Sequence, residues 1–91
     1  MGGKGLPKVA RDGRGDYVKN LGWEPHPTKP GEFKQPRFYL GRDGAEAVIR
    51  SLRLEQVWAS IERRWQATRE PVRPVWDDIT RQIGRAVARG D

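Results

Sequence analysis

The sequence predicts an α+β fold in which a small two- or three-stranded antiparallel sheet is backed by a long α-helix and followed by a second α-helix. Two observations predict this arrangement. Residues 17–24 and 32–40 contain alternating apolar and polar positions, which is typical of strands that bury one face. Residues 44–69 contain no proline and carry apolar residues at helical spacing, and residues 75–89 repeat that pattern.

The composition limits the core and the classes of function. Only 35% of the 91 residues are hydrophobic, so we expect one small domain with part of the chain disordered. The absence of cysteine excludes disulfides and thiolate metal sites. No apolar run approaches the length of about 18 residues that a membrane span needs, and residues 1–18 lack the apolar segment of a secretory signal. We therefore expect a cytoplasmic protein with no membrane partner.

The positive charge is concentrated in the first half of the chain. Residues 1–42 hold 9 Lys+Arg and 4 Asp+Glu, a balance of +5. Residues 43–91 hold 9 Arg and 8 acidic residues, a balance of +1, and the two halves account for the net charge of +6. A basic segment favours polyanions, with nucleic acid first and an anionic membrane surface second.

The chain divides into three predicted parts. Residues 1–16 hold four basic residues, five glycines and no periodic pattern, so we expect a flexible basic arm. Residues 17–69 are predicted to form a sheet-plus-helix module, with residues 25–31 as a loop because their three prolines cannot join a strand ladder. Residues 70–91 are predicted to form a C-terminal helix that packs on the long helix or leads to a missing domain.

The last predicted strand separates an inner from an outer face. Pro36 marks an edge or a break in the extended run. Beyond it, Phe38 and Leu40 are expected to point toward the helix, and Arg37 and Tyr39 toward the opposite side.

The long helix is predicted from Gly44 to about Arg69, with Asp43 as its N-cap. Its apolar residues gather on two roughly opposite sides. We expect the sheet to be covered by Ala45, Val48, Ile49, Leu52 and Ala59. The other side consists of Ala47, Leu54, Val57, Trp58, Ile61 and Trp65.

This second side needs a neighbour, and the C-terminal helix is the candidate within the chain. It carries a four-residue stripe of Val75, Ile79, Ile83 and Val87. If that helix does not cover the second side, Trp58, Ile61 and Trp65 form an interaction face for a partner or a second copy. A protein-interaction or oligomerisation module is therefore an alternative function.

Catalysis has little support in the sequence. His26 is the only histidine and lies between two prolines, and neither Ser51 nor Ser60 has a histidine near it to act as base. The sequence contains no cluster of metal ligands. We expect no enzyme, no catalytic residue, no metal and no cofactor.

A set of basic, amide and aromatic side chains lies on or beside the outer sheet face. Arg and Lys neutralise phosphates or bond to guanine, Gln pairs with adenine, and Tyr bonds to phosphate or stacks. A small sheet placed in a groove is an established way to read DNA. The predicted DNA-binding residues are Lys19, Trp23, Lys29, Lys34, Gln35, Arg37, Tyr39 and Arg42. An ordinary solvated sheet and an RNA-binding sheet have the same composition, so both interpretations stay open.

The segment KQPRFYLGRDGAEAVIRSLRLEQVWASIERRW, residues 34–65, combines an aromatic-Tyr-Leu-Gly strand end, an acidic helix cap and a late tryptophan. It resembles the N-terminal, arm-type DNA-binding region of bacterial phage-type tyrosine recombinases, the site-specific integrases. It is also loosely similar to the DNA-binding domain of plant ethylene-response factors. The resemblance implies that the sheet lies against double-stranded DNA and that the helix backs the sheet. It also implies that the protein is associated with the nucleoid.

The catalytic domain of those recombinases, with its Arg, His and nucleophilic Tyr set, is absent from these 91 residues. Tyr17 and Tyr39 lie in the predicted sheet and are not candidates for the nucleophile. The resemblance therefore implies a DNA-binding module without the enzyme, with a recombinase catalytic domain or another partner protein acting in trans.

Overall fold

The computed structural model of the protein describes residues 9–91, which form two small antiparallel sheets and two helices. The strands are β1 (Ala10–Arg11), β2 (Tyr17–Asn20), β3 (Glu24–Pro25), β4 (Phe33–Lys34) and β5 (Arg37–Gly41). The helices are α1 (Gly44–Thr68) and α2 (Asp78–Arg89). This order confirms the predicted α+β class, with a long helix behind a small sheet and a second helix after it.

The main sheet has the strand order β1-β2-β5. β1 pairs antiparallel with β2, so Ala10 lies opposite Val18 and Arg11 opposite Tyr17. The prediction of a flexible arm is therefore wrong for this part of residues 1–16, because its backbone completes the third strand. Residues 1–8 of the predicted arm lie outside the described residues.

The predicted first strand is shorter than its alternating pattern suggested. Gly22 has a φ of +73° and lies so close to the core that an added Cβ would come within 2.5 Å of Trp76 Nε1 and 2.7 Å of the Trp58 ring. The chain turns at this glycine because only a residue without a side chain fits both the conformation and the space. Beyond the turn, β3 pairs with β4 as a separate hairpin.

Both helices begin at an aspartate cap, of which only Asp43 was predicted. The Asp43 carboxylate accepts a hydrogen bond from the Glu46 amide at 3.1 Å, which begins α1. The Asp77 carboxylate accepts from the Thr80 amide at 2.8 Å, while the Thr80 hydroxyl accepts from the Asp77 amide, so α2 begins with a reciprocal capping box. Gly90 ends α2 in the left-handed conformation, which glycine adopts more readily than other residues.

The prediction of which side of α1 covers the sheet is wrong. The residues that α1 buries are Ala47, Ser51, Leu54, Trp58 and Ile61. Ile49 and Leu52, which were expected to cover the sheet, are exposed. One face of α1 therefore serves both the sheet and α2, because the two neighbours lie side by side against it and need no second apolar face.

The packing face of α2 is also different from the prediction. The helix buries a stripe of small residues, Thr80, Gly84 and Ala88. Two members of the predicted stripe, Ile79 and Ile83, remain 71% and 47% exposed. The small stripe packs inward because the bulky Trp76 already occupies the space between α2 and the sheet.

Trp76 is the centre of the core. Its side chain is fully buried, and its ring centroid lies 5.1 Å from that of Phe38 and 5.4 Å from that of Trp58. The indole Nε1 donates a hydrogen bond to the Leu21 carbonyl at 2.9 Å, and the Trp76 amide donates to the Trp23 carbonyl at 2.8 Å. Trp76 therefore joins the sheet, the β3–β4 hairpin and both helices, and satisfies its own polar atom as buried tryptophans require.

Candidate nucleic-acid interface

The pairing of β2 with β5 sets the composition of the two sheet faces. Residues directly opposite each other in an antiparallel pair share a face. Lys19 lies opposite Phe38, whereas Asn20 lies opposite Arg37 and Val18 opposite Tyr39. Phe38 is buried beneath the helices, so the Asn20, Arg37 and Tyr39 side chains belong to the other face, which we call the outer face.

The outer face exposes the two side chains that the alternation predicted. Arg37 is exposed and forms no ion pair with any residue in 9–91. Tyr39 is 54% exposed. In contrast, Phe38 and Leu40 are almost fully buried, which confirms the predicted division of this strand.

The β1–β2 turn brings further charge to the outer face. The Asp12 carboxylate accepts hydrogen bonds from the Arg14 and Asp16 amides, both at 2.9 Å, and so fixes the turn. Desolvation pushes the pKa of the Asp12 carboxyl upward, but these amides and the charges of Arg14 and Arg37 outweigh it and hold the pKa below its ordinary value. Arg14 is exposed, and it lines one surface pocket together with Tyr39, so its side chain lies beside the outer face.

Lys19 does not lie on the outer face, so its predicted place on the surface proposed to meet DNA is wrong. It shares the inner face with Phe38, and its Nζ lies 2.7 Å from the Glu55 Oε2 of α1. Only 13% of the Lys19 side chain is exposed. Lys19 therefore joins the sheet to the long helix.

Two other predicted cations are partly neutralised. The Lys34 Nζ lies 3.6 Å from the buried Glu24 carboxylate, which also faces Arg81 Nε at 3.3 Å. The Arg42 Nε lies 3.3 Å from Asp16 Oδ1, although 70% of the Arg42 side chain is exposed. These pairs reduce the charge that Lys34 and Arg42 offer to a ligand, but they leave Arg42 accessible.

The remaining predicted residues lie beside the outer face or beyond it. Trp23 is partly exposed, and the Arg73 guanidinium lies 5.2 Å from its ring centroid and 4.9 Å from that of Phe33. Trp23 thus stacks on a cation of the same chain. Lys29 is exposed in the β3–β4 loop, and Gln35 is exposed immediately before β5.

Two residues of this surface were missing from the sequence prediction. Asn20 joins the outer face through its pairing with Arg37, and Arg14 lies beside this face, where it shares a surface pocket with Tyr39. The alternation in residues 17–20 already placed Asn20 and Lys19 on opposite faces, but it did not show which of the two faces the helices. Arg14 had no such signal, because β1 was not predicted.

The predicted interaction face is largely occupied by the chain itself. Trp58 and Ile61 are buried in the core next to Trp76 and α2. Trp65 is partly buried, and its Nε1 donates a hydrogen bond to the Pro71 carbonyl at 2.7 Å. The C-terminal helix is therefore the neighbour of this side of α1, and Trp58 and Ile61 are not accessible to a partner in the folded protein.

Comparisons of the chain with protein-family models, with curated proteins and with solved structures found no match. Across residues 9–91, neither helix has the length and apolar character needed to cross a membrane. The described residues also bring no three His, Asp or Glu side chains together as a metal site. The candidate interface is thus defined by its own geometry alone.

Proposed function

We propose that the protein is a non-catalytic module that binds double-stranded DNA, with the outer face of the β1-β2-β5 sheet placed in a groove. The observation that carries this proposal is the pair Arg37 and Tyr39, exposed on β5 while the alternate residues of the same strand are buried. The inner face is covered by two helices, so the strand is a rigid support for the side chains that it exposes. Rigid support favours precise contacts with base edges.

Each exposed group has a distinct chemical part in this interaction. The Arg37 guanidinium can donate two hydrogen bonds to a guanine edge or neutralise a phosphate, and the Asn20 amide can pair with adenine. The Tyr39 hydroxyl and the Arg14 guanidinium are suited to phosphate oxygens. Lys29 and Gln35 lie on either side of the β4 strand and extend the polar surface toward the hairpin.

The charge distribution supports a modest number of phosphate contacts. Lys19 is committed to Glu55, and Lys34 and Arg42 each face a carboxylate. Arg14, Lys29 and Arg37 form no ion pair with residues 9–91 and are the cations with most to gain from a phosphate. About three such contacts correspond to a slope of about −2.7 in a plot of log affinity against log salt concentration.

The resemblance of residues 21–65 to the N-terminal region of phage-type tyrosine recombinases favours the same conclusion. In that family the sheet lies against DNA and the helix backs it. By this analogy, we propose that the module works beside a recombinase catalytic domain or another partner protein that acts in trans.

The test is fluorescence anisotropy of labelled duplex DNA over a salt series, with Arg37→Ala and Arg63→Ala as a matched pair. Both variants remove one exposed arginine that forms no ion pair with residues 9–91, but Arg63 lies on α1. We expect Arg37→Ala to weaken binding about tenfold, equal to about 1.4 kcal/mol, and Arg63→Ala to leave it nearly unchanged. Equal losses in both variants, a flat salt dependence, or no binding at low salt would reject the proposal.

Single-stranded RNA is the alternative ligand for the same face. Recognition of single strands depends on aromatic side chains on which successive bases stack. Tyr39 is the aromatic residue exposed on the outer face, and one stacking position favours duplex binding over single-strand binding. Competition of labelled duplex DNA with unlabelled single-stranded RNA distinguishes the two, because RNA should displace the duplex only at large excess.

A further inference from the structure

The surface pocket that Tyr39 shares with Arg14 is rich in arginine. Its volume is about 590 Å³, within the range of roughly 300–1,000 Å³ that is typical of small-ligand sites. Three arginines line it, and each comes from a different part of the fold: Arg14 from the β1–β2 turn, Arg50 from α1 and Arg89 from the last turn of α2. We call this site the arginine pocket. Three guanidinium groups around one pocket indicate a site for an anion.

The strand register brings these three segments to one end of the sheet. Tyr17 lies opposite Gly41, so the β1–β2 turn that precedes Tyr17 reaches the same end as Gly41. The end of α2 lies there as well, because an added Cβ would come 2.9 Å from Arg50 Nη1 at Gly41 and 2.6 Å from Arg50 Nη2 at Gly90. The arginine pocket therefore lies where the outer face ends.

Arg50 is the fixed member of the arginine pocket. Its Nη1 donates a hydrogen bond to the Leu40 carbonyl at 3.1 Å, and its Nη2 donates to Glu46 Oε1 at 3.0 Å. A guanidinium has five N–H donors, so further donors on Arg50 have no partner within residues 9–91. Only 21% of the side chain is exposed, and water therefore screens its charge less than that of a surface arginine.

The acidic groups near the arginine pocket do not cancel its positive charge. Asp16 lines the pocket, but its Oδ1 lies 3.3 Å from Arg42 Nε. Asp91 Oδ2 lies 3.1 Å from Arg89 Nε, and these side chains are 65% and 62% exposed, so the pair is weak and a phosphate can displace Asp91. With the other two arginines and the glutamate that pairs with one of them included, four guanidinium groups face three carboxylates. The negative carboxyl end of α2 also lies here, and Arg50 offsets it.

We propose that the arginine pocket holds one backbone phosphate of bound DNA through Arg14, Arg50 and Arg89. This inference rests on the proposed function for the source of the phosphate. The phosphate is the one that Arg14 contacts in that proposal, so Arg50 and Arg89 complete its site. Forked guanidinium donors match the oxygens of a phosphate. Because phosphate contacts fix a protein's orientation on the duplex, the pocket sets the position of the outer face along the groove.

The first test titrates the full chain with inorganic phosphate in the absence of DNA, at an ionic strength kept constant with chloride, and follows the NMR signals of the arginine Nε–H groups. We expect the signals of Arg14, Arg50 and Arg89 to shift together along one saturable curve. The signal of Arg63 should stay in place, because Arg63 is exposed on α1 outside the pocket and forms no ion pair with residues 9–91.

Arg50→Lys tests the fork in the same titration. Lysine keeps the positive charge but loses the planar set of donors, so the Kd for inorganic phosphate should rise at least about threefold. Circular dichroism checks that the variant is folded. If it is not, Arg89→Ala takes its place in the titration, because Arg89 is exposed at the end of α2 and its loss leaves the core intact.

The second test measures the affinity for duplex DNA by fluorescence anisotropy, with Arg89→Ala and Arg63→Ala as a matched pair. Arg89 lies on α2 and not on the outer face, so a phosphate in the pocket is what joins it to the DNA. We expect Arg89→Ala to weaken binding about fivefold, because a charge-assisted hydrogen bond to phosphate is lost. Arg63→Ala should leave binding nearly unchanged.

The two measurements separate this inference from the proposed function. DNA binding without a saturable phosphate shift, a shift of Arg63 as large as those in the pocket, or an Arg89→Ala variant that binds DNA as well as Arg63→Ala would overturn the phosphate site alone. Saturable phosphate shifts without any binding of duplex DNA would reject the proposed function and reassign the pocket to free phosphate.

Discussion

Gly84 in α2 lies directly against the buried indole ring of Trp76. A Cβ added to Gly84 would come 2.9 Å from Trp76 Cζ3 and 3.1 Å from Phe38 Cε1, closer than carbon atoms normally approach. Intrinsic helix propensity favours alanine over glycine by about 1 kcal/mol. At this position the packing opposes that preference, because neither ring can move within a filled core.

We therefore expect Gly84→Ala to destabilise the protein by about 1–3 kcal/mol, measured as the free energy of unfolding in urea. Gly13→Ala is the control, because Gly13 lies in the β1–β2 turn with no atom within 4 Å of an added Cβ. Gly13→Ala should change the free energy of unfolding by close to zero. A Gly84→Ala variant more stable than the native protein would show that α2 does not pack on Trp76 as described.

Trp76→Phe tests the hydrogen bond at the centre of the core. The substitution removes the indole N–H that binds the Leu21 carbonyl and leaves a gap beside Trp58. We expect a loss of about 2 kcal/mol or more in the free energy of unfolding. Trp23→Phe makes the same chemical change at a partly exposed site whose ring lies against Arg73, and should cost less than about 1 kcal/mol.

Lys19→Met distinguishes the two faces of the sheet. Lys19 holds Glu55 of α1 in a partly buried ion pair, so its loss should lower the free energy of unfolding by about 1 kcal/mol. Its effect on duplex DNA affinity should not exceed that of Arg63→Ala, because Lys19 faces the helices. If Lys19→Met weakened DNA binding as much as Arg37→Ala, the assignment of the outer face would be wrong.

Asp77 makes the stability of α2 sensitive to acid. Hydrogen bonds from the Thr80 backbone amide and side chain hold the pKa of the Asp77 carboxyl below its ordinary value of 3.8. Because the pKa is lower in the folded state than in the unfolded chain, ionised Asp77 adds stability that is fully present above pH 3.8. That stability is lost as the pH falls through the folded-state pKa.

The matched variant is Asp77→Asn, which keeps a good N-cap but cannot ionise. At neutral pH the native protein should be more stable than this variant, and the difference should disappear on acidification below pH 3.8. Thermal unfolding followed between neutral pH and pH 2.5 measures it. A difference that stayed constant across this range would exclude a role for the Asp77 charge.

Local patterns in the sequence were sufficient for the parts of the fold that depend on local chemistry. Asp43 was recognisable as a cap because an N-cap acts on amides within its own first turn. The burial of Phe38 and the exposure of Tyr39 followed from strand alternation. These features need no knowledge of the distant neighbours.

The errors arose where distant contacts decide the outcome. Ile79 and Ile83 fit a packing stripe by their chemistry, but Trp76 fills the interior and leaves room only for the side of α2 that carries Gly84. Lys19 was assigned to the wrong face because its partner, Glu55, lies 36 residues away. Likewise, β1 was not predicted because two residues become a strand only when β2 is beside them.

The hydrogen bond that the Trp76 Nε1 donates to the Leu21 carbonyl joins residues 55 positions apart in the sequence. When the chain emerges from the ribosome, the strands and α1 appear first and cannot close a core until Trp76 and Ala88 have followed. The sheet and the apolar side of α1 therefore stay exposed to solvent until the last quarter of the molecule has been synthesised. The C-terminal helix thus controls when folding is completed, and a stop codon or a cleavage before residue 76 would leave the strands that carry the outer face without a folded support.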